Sequence, residues 1–229
     1  MDEPITKKKD SSNFLLIIVG IAFVLIAFNS YTLYGLSKSS SGVGVVGSSE
    51  SGLITGRATA SIIPTGSPKV YGAELGVSYD DVSANDPNAA DLAIETLGDL
   101  DNTITLNQDQ MKRYINILYK KDGGIGCEYC CGAKSVIFEN GKPACGCAHS
   151  YAMRGLAKYL ITKHGDEYTD EEILEEVSKW KMLFFPTQMS QKAEVLKSKG
   201  IETSYTNVAS NKYRGIESGS AGGGMVGGC

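Results

Sequence analysis

Five of the six cysteines in this 229-residue chain, and one of its two histidines, fall between Cys127 and His149. The segment reads C-E-Y-C-C-G-A-K-S-V-I-F-E-N-G-K-P-A-C-G-C-A-H. Thiolates and an imidazole are donors for soft and borderline ions, Zn²⁺ or copper first and an iron–sulfur cluster behind them. Cys127 and Cys130 have the two-residue spacing with which one knuckle presents two sulfurs to one ion. Cys145, Cys147 and His149 come from a second segment, and Cys131 sits beside the knuckle. The candidate metal ligands are therefore Cys127, Cys130, Cys131, Cys145, Cys147 and His149, with Cys131 the most easily spared. Two other chemistries use the same residues. A C-x-x-C pair with a lowered pKa is a thiol–disulfide oxidoreductase couple, and six cysteines can equally be structural bridges of a disulfide-stabilised surface interaction module.

Both sulfur groups need elements that bring them together. Ser135, Val136, Ile137 and Phe138 form an apolar, largely β-branched run, followed by Asn140-Gly141 and a short return. Asn-Gly is the preferred pair of a type I′ turn, in which both central residues take φ > 0. A β-hairpin is expected here, folding Cys145 and Cys147 back beside Cys127. A helix from about Ala148 then places Cys147 and His149 at its positive end, which favours thiolate over thiol.

The flanking sequence is helical in pattern. Asp86-Pro87 reads as a cap followed by the first helical residue. Asn107 or Thr105 starts a second helix through about Tyr119. Ala148, Ala152, Gly155, Leu156, Tyr159 and Leu160 share one face of a third, and Ala152 and Gly155 are small enough for close packing. Thr169 with Glu172 three residues on is a capping box, opening a helix that Pro186 closes. One more helix runs from Thr187 or Ser190 to about Lys199. The fold class expected is mainly α with one β-hairpin, a small α+β domain behind an N-terminal transmembrane helix.

The membrane expectation rests on residues 14–36, which carry no charge. About 23 residues of helix at a rise of ~1.5 Å cross a bilayer core. Lys7, Lys8 and Lys9 precede the span, so the positive-inside rule puts residues 1–13 in the cytoplasm and the remainder outside the cell membrane. Residues 37–68 are rich in Gly and Ser and read as a flexible linker. The cysteine-cluster domain is expected over 69–210, and 211–229 as a flexible Gly-rich tail ending in Cys229, a mobile sulfur that could complete or hand over a metal. The membrane is thus the expected partner. A net charge of −4 and the lack of a basic patch interleaved with aromatics argue against nucleic acid. The chain is read as a binding protein more than an enzyme.

Knuckle, hairpin and ligand-bearing helix resemble a treble-clef zinc finger, which implies one zinc ion held between knuckle and helix. The chain departs from that family in offering five sulfurs and an imidazole. Cys145, Cys147, Gly165, Asp170, Glu171, Glu172, Ile173 and Pro186 also resemble the pattern of membrane-anchored cytochrome c maturation thiol-reductases, although C-x-C replaces their C-x-x-C. The run Cys127–Lys192, with C-G-C-A-H-S-Y-A-M-R-G-L, is similar to a family of uncharacterised single-pass proteins from archaea and related lineages that end in Gly-Gly-Cys. The C-G-C element is also similar to bacterial lipoproteins with a Pro-Cys-Tyr-Cys-Gly-Cys motif.

Other polar residues read as structural. His164 falls in the last turn of its helix, where a donor satisfies free carbonyls. Ser150 beside His149 is mere adjacency, and the acids of 170–176 form a solvated, capped helix start. Trp180 and Phe184-Phe185 read as core.

Overall fold

The computed structural model describes residues 62–218 together with Met225 and Val226, whose regular elements are helices joined by irregular segments. A short helix α1 (Gly72–Leu75) and a 3-10 turn (Tyr79–Asp81) lead into α2 (Pro87–Thr103) and α3 (Gln108–Ile115). The cysteine segment follows, then α4 (Ala148–Lys163), α5 (Asp170–Phe184), α6 (Pro186–Ser198) and α7 (Tyr205–Ala209). A last 3-10 turn, Asn211–Tyr213, folds back toward the cysteines.

Helix starts follow from local hydrogen bonding. The Asp86 carboxylate accepts from the Ala89 N–H ahead of Pro87. Asn107 and Gln110 cap α3 reciprocally, as Thr169 and Glu172 cap α5. Each such cap stabilises its helix by about 1 kcal/mol, because it satisfies donors that have no partner within the helix. α6 begins directly at Pro186, whose missing N–H is harmless in a first turn.

α2 packs most extensively on α4, and the crossing closes to backbone contact at Gly155. A Cβ there would lie 1.9 Å from the Leu97 carbonyl oxygen and 2.9 Å from the Asp101 nitrogen. Around this crossing Leu97, Leu156, Leu160, Val177, Trp180 and Phe184 are fully buried. The segment before α2 is pinned to α5 through Glu176. Its carboxylate accepts from the Tyr79 hydroxyl at 2.6 Å and the Tyr71 hydroxyl at 2.8 Å. Trp180 Nε1 donates to the Tyr71 oxygen at 2.8 Å.

The expected β-hairpin is corrected: among the described residues there is no β-strand, only isolated bridges. Ile137 pairs with Pro143, and Ala144 N donates to Val136 O at 3.0 Å. The chain does reverse at Asn140-Gly141, but only Gly141 has φ > 0 (+78°), so the turn is not type I′. Gly141 N bonds to Phe138 O, and Phe138 N to Lys142 O, closing a three-residue loop with Gly141 in the left-handed position. The donors that would extend the pairing are used elsewhere, Val136 N on Ile125 O at 2.9 Å and Lys142 N on Asn140 Oδ1 at 3.0 Å, so it does not propagate into a ladder. The reversal survives and the strands do not. The fold is therefore all-helical with irregular loops, not α+β. No helix among the described residues is long and apolar enough to cross a membrane. The span expected at 14–36 lies outside the described residues, so the architecture observed includes no transmembrane element.

Candidate metal centre

The cysteine segment is launched by an irregularity at the end of α3. Asn116–Lys120 forms a π turn, and the Leu118 carbonyl accepts from Ile125 N and Ser135 Oγ, each at 3.0 Å. Gly124 lies so close that a Cβ would stand 2.3 Å from that same oxygen, and its φ is +76°. Glycine is required there on both counts. One carbonyl thus fixes both the entry to the first sulfur group and the start of the return.

The first group is a tight loop. Cys131 N and Gly132 N both donate to Cys127 O, at 3.2 and 3.1 Å. Arg214 clamps the loop from the C-terminal side, donating to Gly132 O at 3.2 Å and Ala133 O at 3.0 Å, so chain beyond residue 210 supports the site. Beside it, the buried Lys181 ammonium lies 2.9 Å from both oxygens of Glu128 and 2.8 Å from Ala209 O. The second group follows the Gly141 reversal. Cys145 is buried, and its carbonyl accepts from Arg154 Nη1 at 2.7 Å. Arg154 is itself fully buried and pairs through Nε with Asp101 Oδ2 at 2.7 Å. Cys147 is the N-cap of α4, where its sulfur accepts from Ser150 N at 3.4 Å and lies 3.3 Å from Ser150 Oγ.

The sulfurs of Cys127, Cys131, Cys145 and Cys147 all lie within 4.8 Å of one another. Cys127 Sγ is 3.3 Å from Cys147 Sγ, which is 3.5 Å from Cys145 Sγ. Four sulfurs at about 2.3 Å from a tetrahedral zinc ion are about 3.8 Å apart, so sulfurs gathered this closely could hold a single ion once the disulfide between Cys131 and Cys145 is opened. Cys131 and Cys145 are paired as a disulfide with Cα atoms 7.1 Å apart. That separation is wider than in most disulfides, roughly 4.4–6.8 Å, and poses no difficulty for two ligands of one ion. Cys127 and Cys145 are buried, Cys147 is partly exposed and Cys131 faces solvent.

A second group shares a member with the first. Donor atoms of Cys130, Cys147 and His149 also lie within 4.8 Å of one another. The His149 ring is buried between Phe184 and Phe185, with centroids 4.9 and 5.1 Å away. Its Nε2 stands 2.8 Å from the Val226 carbonyl.

Charge is unevenly divided between the closest sulfurs. Hydrogen bonding with Cys127 is the largest cause holding the Cys147 thiol well below the ordinary thiol range. His149 and Ser150 add to the shift, and burial opposes it. The same contact with Cys147, followed by burial, pushes the Cys127 thiol up. The contact therefore favours the proton on Cys127 and the charge on Cys147, and a bound metal would displace that proton.

All six candidate ligands from the sequence meet in this region, although not in the grouping that spacing implies. Cys131, not Cys130, completes the four-sulfur cage, while Cys130 joins His149. Cys229 lies outside the described residues. Spacing gave no sign of Arg154, Arg214 or Val226, because each acts across a long sequence interval through a backbone carbonyl or a donor to one. Ser150 had a local signal, as a residue three beyond a helix cap. No family model, no curated protein and no solved structure matches the chain.

Proposed function

We propose that this domain binds a soft or borderline metal ion, Zn²⁺ or Cu(I), through the thiolates of Cys127, Cys131, Cys145 and Cys147. The observation that carries the reading is the convergence of four sulfurs from two separate segments to within 4.8 Å of one another. Two of these cysteines, Cys127 and Cys145, are buried, and once the Cys131–Cys145 disulfide is reduced a metal is a natural counter-charge for their thiolates. A closed structural zinc site shields its ligands. Here Cys131 is exposed and Cys147 partly so, an edge at which an incoming thiolate can take the ion. The geometry therefore favours an exchangeable, carried metal over a purely structural one. Elemental analysis of the full chain purified under a non-chelating reductant, with thiol titration before and after acid release, tests this. At least one equivalent of metal, with thiols that react only after release, supports the reading. Absence of metal with reactive thiols throughout overturns it.

A second reading is favoured by one contact. Cys147 Sγ lies 3.5 Å from Cys145 Sγ, the partner of Cys131. Attack by the Cys147 thiolate on Cys145 would form a Cys147–Cys145 bond and release Cys131 as thiolate at the surface, a thiol–disulfide exchange. Metal-free protein that oxidises and reduces reversibly near cellular potentials, and binds no metal when reduced, would establish that alternative instead.

A further inference from the structure

We infer that the cluster holds two metal ions rather than one. The second is bound by Cys130, Cys147 and His149, and the Cys147 thiolate is shared between the centres. The inference rests on the soft-metal reading of the four-cysteine cage and extends it to a second site.

Three observations lead to it. First, Cys147 belongs to both donor groups, and no other described residue does. A thiolate sulfur has lone pairs enough for two metals, so the shared position is chemically competent. Second, His149 is prepared as a ligand. Val226 offers a carbonyl, which can only accept, so in the neutral ring Nε2 carries the hydrogen of the 2.8 Å bond. A metal at the other ring nitrogen would take the place of the hydrogen bond that the ring makes with Cys147. Metal-ligating histidines are held in this way, the outer nitrogen donating to a carbonyl and the inner one facing the ion. The ring is wedged between two phenylalanines and makes a hydrogen-bonding contact with Cys147. The Val226 N–H is in turn tied to Phe184 O at 2.8 Å, so the carbonyl that orients the ring is itself fixed to α5.

Third, the charges close better with two ions. Four thiolates around one divalent ion leave a double negative charge in a half-buried site, which is costly to desolvate. Adding Cys130 as thiolate and a second divalent ion reduces the excess to a single charge. The second ion has three protein ligands, the arrangement that keeps one coordination position open. Because Cys130 and Cys147 are only partly buried, that position is reachable by water or by the thiol of a small molecule or partner protein.

The test is a Co²⁺ titration of the reduced full chain, followed by Zn²⁺ displacement and elemental analysis. Wild type is expected to take two equivalents. His149→Ala and Cys130→Ser should each take one and keep the absorption of a tetrathiolate cobalt centre. Cys130→Ser changes a partly exposed residue and guards against misfolding of the buried histidine variant. In wild type the cobalt EPR signal should grow with the first equivalent and fall with the second, as the spins couple through the common sulfur. One equivalent in wild type, unchanged in both variants, overturns the second site and leaves the four-cysteine reading standing. Two equivalents with an EPR signal that simply doubles overturns the shared thiolate. No cobalt bound overturns both readings.

Discussion

Asp101→Ala would leave one of the most buried charges of the domain without its partner. Asp101 Oδ2 accepts from Arg154 Nε at 2.7 Å, and the Asp101 carboxylate also lies 2.8 Å from the Lys158 ammonium. The Arg154 side chain has no solvent exposure, whereas Lys158 retains 17%. Lys158 can turn to water when the carboxylate is removed; Arg154 cannot. Breaking a buried pair from one side costs about 3–5 kcal/mol, because the remaining charge is neither solvated nor compensated. Arg154 keeps its bond to Cys145 O at 2.7 Å and its position over the Tyr151 ring, 4.5 Å from the centroid. The lower end, about 3 kcal/mol, is therefore expected. With a urea m-value of about 2 kcal/mol/M the unfolding midpoint should fall by about 1.5 M. Adding Arg154→Met to Asp101→Ala removes the stranded charge and should recover part of the loss. A loss below about 1 kcal/mol for Asp101→Ala, or strict additivity of the two substitutions, would refute the reasoning. Arg154→Met alone should also loosen metal about 10–100-fold, since it frees the carbonyl of a ligand.

Gly155→Ala should destabilise by about 3 kcal/mol or more in the same denaturation assay, because the added carbon meets the backbone of α2 at 1.9 Å and no side chain can yield. His164 bridges Glu167 Oε1 at 2.8 Å and Glu74 Oε2 at 3.0 Å beside the Tyr159 ring. Burial opposes its charge, but the two carboxylates outweigh it and raise its pKa. Its contribution is therefore complete below about pH 6.5, the unfolded value. It is lost as pH climbs through the raised folded pKa, so the Tm of wild type should decline over that interval and His164→Gln should flatten the profile. Lys192 behaves oppositely: burial, followed by the nearby Lys181, pushes its pKa down to about 8. Its cost is complete below that pH and fades as pH rises toward the unfolded value of about 10.4. Lys192→Met should therefore raise Tm at pH 7 and lose that advantage near pH 10. Its lost bond to Ser210 O, 3.1 Å in the native protein, offsets part of the gain.

What the sequence made legible was governed by neighbours in the chain. Asp86, Asn107 and Thr169 cap the helices they were expected to cap, since a capping side chain reaches donors only two or three residues away. Gly155 marked the close helix crossing because a missing side chain on an apolar face has few other uses. The hairpin failed on two donors: Asn140-Gly141 favoured reversal, but the Val136 and Lys142 N–H groups bond to Ile125 O and Asn140 Oδ1 and not to the facing segment. The allocation of the sulfurs was not legible either. Cys130 and Cys131 are adjacent, and which of them turns into the four-sulfur cage depends on how the Cys127 carbonyl draws the loop closed at Cys131 and Gly132. The burial of Arg154, Lys181 and Lys192 depends on carboxylates and carbonyls far away in sequence. Long-range partners leave no periodic trace.

The most direct test of the central claim is X-ray absorption at the edge of whichever metal co-purifies with the full chain under reducing conditions. The account predicts a first shell dominated by sulfur at about 2.3 Å if that metal is zinc, with a minor nitrogen contribution from His149. Bound metal with a shell of only oxygen and nitrogen, or with fewer than two sulfurs per ion, would contradict it.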